Sequence, residues 1–548
     1  MKSQFVATLF VCAALAACDS GDINLNPSTS DNSTDNSVTN SNNTAAAPVA
    51  EENPCASYVN SGGQTIEGDF DGVNCTYSPA FADAGNNITT DITIPELASG
   101  GVHVFKGSLF VGEAHSNAAE LTAAGVAEGG DGPTLTIEAG ATLAWPDNTK
   151  FVIINRGSQL FAVGTQEKPI TFTATKDAVE GAAGPEDVQL WGGMVINGFG
   201  VSNKCEYTGT RGDDLALVGE CNIAAEGAEG LDESYYGGAN DDDSSGRLEY
   251  VVVKHTGAQV ANGDELNGIS FGGVGRNTII KNLQVYSTYD DGIEMFGGAV
   301  NFENFVAIYV RDDSIDVDEG YIGSVTNALV IQQETDGNRC VEADGIGSYS
   351  SKSDEFIQDM FTRGLNSRPT ITGLTCIFSP SEGTHDPGAG LRLREGLWPT
   401  IQGAVVFGGY GEEVSAGDHW AIRVDDTVAS DGFALGNAAI SDSVFAAVTK
   451  SSKTIAGQDV SDWLQANSNT VFADLTAPVD PTQAANTDLI LFSSSNGFYS
   501  VPAGDVVVND ASLPAQAVAR EILGAIAETN DWTAGWTFGL DQTFWFQQ

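Results

Sequence analysis

Between about residues 100 and 450 the chain consists of short alternating apolar and polar runs, broken by Gly, Asn and Asp. Residues 134–143 (TLTIEAGATL), 151–157 (FVIINRG) and 169–173 (PITFT) are three such runs. Alternation at period two predicts half-buried β-strands, and Gly, Asn and Asp supply the turns between them. Apolar residues at helical spacing are nearly absent here, which excludes an ordinary α/β enzyme.

The runs also repeat. Asp291-Gly292-Ile293-Glu294, Asp313-Ser314-Ile315-Asp316 and Asp344-Gly345-Ile346-Gly347 share one turn-and-strand phrase, with a weaker copy at Asn267-Gly268-Ile269-Ser270. Between them lies a second phrase: Ile280-Lys281-Asn282-Leu283, Phe302-Glu303-Asn304-Phe305 and Val325-Thr326-Asn327-Ala328. Ile293 and Ile315 are 22 residues apart. Repeats of this length, made of short strands and turns, indicate a solenoid; propeller blades need about 40 residues, and a sandwich keeps no such register. The pattern predicts an all-β, right-handed parallel β-helix over residues 54–505, with equivalent residues stacked about 4.8 Å apart.

Stacking turns the repeats into columns. The third position of the second phrase reads Asn282, Asn304, Asn327, Gly373, Gly403 and Asp442. Asn and Gly tolerate left-handed backbone, and stacked amides bond along a column, so this one is assigned to structure. The first phrase aligns on Ile269, Ile293, Ile315, Ile346, Leu391 and Ile422. Two positions earlier stand Asn267, Asp291, Asp313, Asp344, Ala389 and Trp420; one position later, and facing outward, stand Ser270, Glu294, Asp316, Gly347, Arg392 and Arg423. Asp290 and Asp312 add a third pair.

Carboxylates about 5 Å apart repel by about 3 kcal/mol at an effective dielectric near 20. A retained proton, turn amides donating to the carboxylates, or a hard cation would relieve this. The densest group, Asp312, Asp313, Asp316, Asp318 and Glu319, is the candidate Ca2+ site, with Asp241-Asp242-Asp243 second. A purely structural role in turns stands beside both. If the face is catalytic, Asp313 and Asp316 with Arg392 or Arg394 would serve a uronate lyase, and Asp291 with Asp313 a hydrolase. His255 reads as a strand-end side chain.

The first residues read as a lipoprotein export signal (residues 1–17): Lys2, an apolar run too short to span a bilayer, then Leu15-Ala16-Ala17-Cys18, with Cys18 as the lipidated residue. Several acyl chains, such as palmitate, would anchor it firmly. Residues 18–53 are a Ser, Asn and Thr-rich tether that cannot bury enough surface to order itself. Asp19 points to the periplasmic face of the inner membrane, with the outer membrane or cell surface as the alternative. Export agrees with three close cysteine pairs, Cys55-Cys75, Cys205-Cys221 and Cys340-Cys376, read as disulfides. The 74 acids against 23 bases, a net charge of -51, disfavour nucleic acid as a partner.

Residues 157–173, Trp191-Gly192-Gly193-Met194-Val195-Ile196, Tyr236-Gly237-Gly238-Ala239-Asn240-Asp241-Asp242, residues 267–273 and residues 290–298 resemble bacterial lipoproteins with a right-handed β-helix and no settled activity. The resemblance spans about residues 130–335 and implies fold and envelope location. More remotely, the architecture resembles that of pectate lyases and polygalacturonases. Against the polygalacturonase Gly-His-Gly and Arg-x-Lys motifs, Thr384-His385-Asp386 and Arg392-Leu393-Arg394 do not match.

Residues 506–548 are expected to cap the solenoid, with a helix over residues 514–528 followed by Trp532, Trp536, Phe538, Phe544, Trp545 and Phe546. The reading favoured by the whole sequence is a non-catalytic envelope protein that binds Ca2+. It would dock a polysaccharide, a surface layer or a transport partner. The alternative is a polysaccharide lyase or glycoside hydrolase.

Overall fold

A computed structural model of the protein describes residues 53–226, 234–261, 264–408, 419–474, 500–502, 507–508, 511–512, 522–527 and 530–540. Cys18, the export signal and the tether lie outside the described residues, as do Phe544, Trp545 and Phe546.

Ten strands stack in chain order into one parallel sheet: β1 (Leu109–Val111), β2 (Val152–Ile154), β3 (Met194–Asn197), β4 (Ile269–Gly272), β5 (Ile293–Phe296), β6 (Ile315–Asp318), β7 (Arg339–Asp344), β8 (Ala389–Arg394), β9 (Trp420–Val424) and β10 (Thr449–Ser452). The returning segments form a second, 18-stranded sheet. Its longest strands, Gly246–Lys254, Ile279–Thr288, Asn301–Val310, Ser324–Ile331 and Thr370–Phe378, also pair in parallel. This is the expected all-β parallel β-helix.

Alternation sends every second side chain between the sheets. Ile269, Ile293, Ile315, Val341, Leu391 and Ile422 are fully buried there, one per strand from β4 to β9. Towards the N-terminus aromatic rings take over: Phe105, Trp145 and Trp191 stack with centroids 5.7 and 4.4 Å apart. Each such pair adds about 0.5–1.5 kcal/mol beyond its buried area. All three expected disulfides form. Cys340–Cys376 ties β7 to the second sheet.

The Asn column is structural, as expected. Asn282, Asn304 and Asn327 all have positive φ, as do Gly373, Gly403 and Asp442 in the coils that follow. Asn304 Nδ2 donates to Asn282 Oδ1 at 2.9 Å, and Asn327 Nδ2 to Asn304 Oδ1 at 3.0 Å. Each amide thereby helps offset the left-handed backbone of its own corner.

Two expectations are corrected. The third copy of the first phrase does not extend the column. Asp313 and Arg339, in adjacent coils, are 26 residues apart rather than 22. The longer loop lets Arg339-Cys340-Val341-Glu342 take the place expected for Asp344-Gly345-Ile346-Gly347, and Glu342 pairs with Asp316. Asp344 instead pairs with Arg394, while Ile346 packs with Val201, Phe361 and Leu365.

The second correction concerns the tail. Within the expected helix, Ile522–Gly524 is a strand antiparallel to Ser500–Pro502, and residues 513–521 lie outside the described residues. Trp536 packs on the outer side of the second sheet, among Val252, Val306, Ile308 and Leu329. Leu523 and Ile526 are buried in the same cluster, a tertiary contact of the kind that overrides local propensity.

Asn304→Ala removes both amide bonds and leaves a Cβ in left-handed backbone. It should lower stability by about 1–2 kcal/mol, read as a shift of the denaturation midpoint at unchanged slope. Asn304→Gly should cost less, because Gly373 and Gly403 already hold this place. Equal losses for the two variants would show that the corner's φ does not matter.

Candidate functional site

The outward positions of the ten-stranded sheet form one continuous column. Phe110, Ile153, Val195, Ser270, Glu294, Asp316, Glu342, Arg392 and Arg423 are paired neighbours, one from each strand β1 to β9. The column thus passes from apolar through acidic to basic along the axis.

The apolar end is roofed by the insertion that follows β3. Its residues Ile223, Ala225 and Tyr236 pack on Phe110, Phe151, Ile153, Val195 and Phe296. The insertion is held by Cys205–Cys221 and by Arg156, whose Nη1 donates to the carbonyls of Cys221 and Gly237 at 2.8 and 2.6 Å.

The acidic stretch has two kinds of carboxylate. One kind serves the turns. Asn267 Oδ1 accepts the Asp291 amide at 3.2 Å, Asp291 Oδ1 the Asp313 amide at 2.9 Å, and Asp313 Oδ1 the Arg339 amide at 2.9 Å. Each side chain therefore accepts the backbone N–H of the next coil. Gly292 permits the close stacking this needs, since a Cβ there would lie 2.5 Å from the Ser314 carbonyl oxygen.

Among the described residues Glu294 and Asp316 have no such bond, yet they gather beside the turn acid Asp291. Oxygens of Asp291, Glu294 and Asp316 lie within 4.8 Å of one another, and so do those of Asp290, Asp291 and Asp312. Asp291 belongs to both trios. Asn267 Nδ2 donates to Glu294 Oε2 at 2.6 Å, and His385 Nδ1 lies 3.0 Å from Asp312 Oδ2. Among the described residues, Asp290, Asp291, Glu294, Asp316 and Asp318 form no ion pair.

The basic stretch is balanced by contrast. Glu342 takes Arg392 Nη1 at 3.1 Å, Arg339 Nε at 3.6 Å, and Arg394. Arg392 Nε also reaches Asp425 at 2.7 Å, Arg339 Nη2 reaches Asp386 at 3.1 Å, and Arg394 pairs with Asp344. Burial opposes the charge on Arg394, but Glu342 and Asp344 outweigh it and hold the guanidinium above its ordinary range. Arg392 and Arg394 are committed cations, and neither is placed to accept a proton.

Burial is also the main influence on the acids, and here neighbours reinforce it. It pushes Asp291 well above the carboxylate range, with Asp316, Asp290 and Glu294 adding to the rise. Glu294 is raised by burial and then by Glu226 of the insertion; Asp316 is raised by burial and then by Asp313 and Glu342. Asp344 is pushed up to about 7 by burial despite Arg394.

Of the candidate Ca2+ ligands, Asp312 and Asp316 lie in the trios, whereas Asp313, Asp318 and Glu319 do not. Glu319 has φ of 57° and turns to the insertion, accepting from Ser202 Oγ at 2.7 Å and Tyr236 OH at 2.8 Å and pairing with Lys204. Asp241 is bound to Arg211 at 2.7 and 2.8 Å, Asp243 accepts the Phe199 amide, and Asp242 faces Arg276. This run is therefore spread over separate structural contacts. His255 is structural as well, its Nδ1 lying 2.6 Å from the Asp187 carbonyl oxygen. Asp291 with Glu294 is the pair that a search for acid density passes over. The available signal is basic residues: Arg339, Arg392 and Arg394 neutralise the downstream coils and leave the upstream acids alone.

These features define a parallel β-helix protein with a charged column along one face. The chain belongs to the pectate-lyase-like β-helix domain family, whose model matches residues 114–537, more than half of its length. Among solved structures it is similar to the Dettilon tailspike protein (gp208), at 14% identity over 64% of this chain and 69% of that one, with a TM-score of 0.20. No curated protein matches the sequence.

The raised acids fix a sign for the effect of pH. The unfolded chain ionises its carboxyls near pH 4, and the folded chain retains those protons to higher pH. Their stabilising effect is therefore complete below about pH 4 and is lost as pH rises through the folded values, about 7 for Asp344. With a chelator present, unfolding free energy should fall between about pH 5 and pH 8. Asp316→Asn should flatten that fall in guanidinium titrations, and an unchanged slope would refute the assignment.

Proposed function

We propose that this chain is a non-catalytic binding or scaffold protein of the bacterial envelope, anchored through lipid on Cys18, that holds Ca2+ in its acidic stretch. The column would dock an extracellular polymer, such as a polysaccharide or surface layer, or an envelope transport partner. The observation that carries the reading is the trio Asp291, Glu294 and Asp316, with oxygens within 4.8 Å and no counter-ion among the described residues. Ca2+ takes oxygen ligands at about 2.3–2.6 Å, so oxygens this close can share one ion. Asp290 and Asp312 extend the donor set through Asp291.

Ca2+ at a hundredfold its Kd should stabilise the folded chain by about 2.7 kcal/mol in thermal or denaturant unfolding. Asp291→Asn combined with Asp316→Asn should abolish the response. A melt indifferent to both Ca2+ and chelator would sink the metal assignment. Polymer docking is read separately, by sedimentation with anionic and neutral polysaccharides.

The alternative, a lyase or hydrolase, draws support from the same close carboxyls, since retaining glycosidases place theirs about 5–5.5 Å apart. It requires new reducing ends or unsaturated uronate absorbance from a panel of glycans, with loss of both in Asp291→Asn. The binding reading expects neither product.

A further inference from the structure

We propose that residues 522–527 and 530–540 form a strap that makes the coil stack unfold as one cooperative unit. In a solenoid each coil touches only its neighbours, so stability is a sum of nearest-neighbour terms and coils can open from an end. The strap departs from that rule because its contacts fall on coils far apart in the stack.

At one end of its course, the Gly524 amide donates to the Gly403 carbonyl at 2.8 Å, and the Ala525 amide to Thr375 Oγ1 at 2.8 Å. At the other, Phe538 exchanges two hydrogen bonds with the Gln284 side chain, both 2.7 Å, and its ring lies edge-on to Tyr286 and 4.0 Å from Lys254 Nζ. Trp536 meets Tyr250 edge-on at 5.7 Å, and Gln166 Nε2 donates to the Ala534 carbonyl at 2.7 Å. From the coil of Gln166 to that of Gly403 is about 30 Å of stack at about 4.8 Å per coil. Between the anchors, Leu523, Ile526 and Trp536 share one apolar cluster with Val306, Ile308 and Leu329 of the intervening coils.

The chemistry of the sheet face supports a dedicated seat. Gln284 and Thr375 are polar side chains on a mostly apolar outer face, and both are almost fully buried. Both bond to the strap's backbone. A buried donor or acceptor that loses its partner costs about 1–3 kcal/mol, so these residues penalise a displaced or shifted strap.

The test uses the full oxidised chain, with hydrogen exchange by mass spectrometry and guanidinium unfolding followed by both tryptophan fluorescence and circular dichroism. The native protein should show coincident transitions. Gln284→Ala with Phe538→Ala should separate the two transitions and speed exchange at least tenfold in the coil strands after residue 400, while residues 279–310 change less. A chain ending at residue 521 should show the same separation more strongly. Uniform acceleration, or none, in the double variant overturns the proposal, whether or not the shortened chain folds.

Discussion

Parallel stacking at about 4.8 Å places every residue above its counterpart in the next coil, and the rest of the molecule follows from that constraint. Apolar residues gain from it, as the buried column from Ile269 to Ile422 shows. Amides gain as well, because Asn304 can bond both to Asn282 and to Asn327. Carboxylates lose, since each is held near its like. The chain answers that loss in two ways along one face. Turn carboxylates accept the next coil's amide, as Asp291 and Asp313 do. Downstream acids are matched by Arg339, Arg392 and Arg394. Glu294 and Asp316 receive neither remedy, and they sit together.

The coil architecture was legible because stacking writes itself into the sequence as repetition. Ile293 and Ile315 keep a register that only a solenoid explains, and Asn282, Asn304 and Asn327 carry the corner geometry in their residue type. The limit came where a loop changed length. Asp344-Gly345-Ile346 looks like a third copy, yet the extra residues before Arg339 shift the register, and local resemblance says nothing about which coil position a phrase occupies. The site was legible in part for a related reason. Acid density in sequence singled out residues 312–319, but a charged site depends on what faces it from other coils. Arg394 and Glu226 both act on this column from segments far away in sequence.

The tail illustrates the opposite failure. Val518, Ile522, Leu523 and Ile526 have a spacing compatible with a helix, and no local signal contradicts it. What decides Ile522–Gly524 is an apolar strip assembled from successive coils of the second sheet. The strip is visible only after the coils are stacked, because its members belong to different repeats. Short apolar runs take whichever periodicity their neighbours can bury.

Net charge and the acid trios are separate matters. The total of -51 belongs to the whole chain, and salt screens exposed charges beyond about 8 Å. In the trios Asp291 and Glu294 are buried and Asp290, Asp312 and Asp316 half-buried, so mobile ions reach them less than surface charges. Nor can they spread apart. Glu294 and Asp316 stand on β5 and β6, whose alternate residues Ile293, Met295, Ile315 and Val317 are fully buried in the interior. Moving either carboxylate away would open a cavity in that close-packed column, at a cost of about 1 kcal/mol or more for each methylene displaced. With the backbone locked from within, the relief left beyond the hydrogen bonds that Asp291 and Glu294 already accept is a bound proton or a bound cation. Which one holds is set by pH and by the ions of the compartment, and the rigid coil makes the choice sharp.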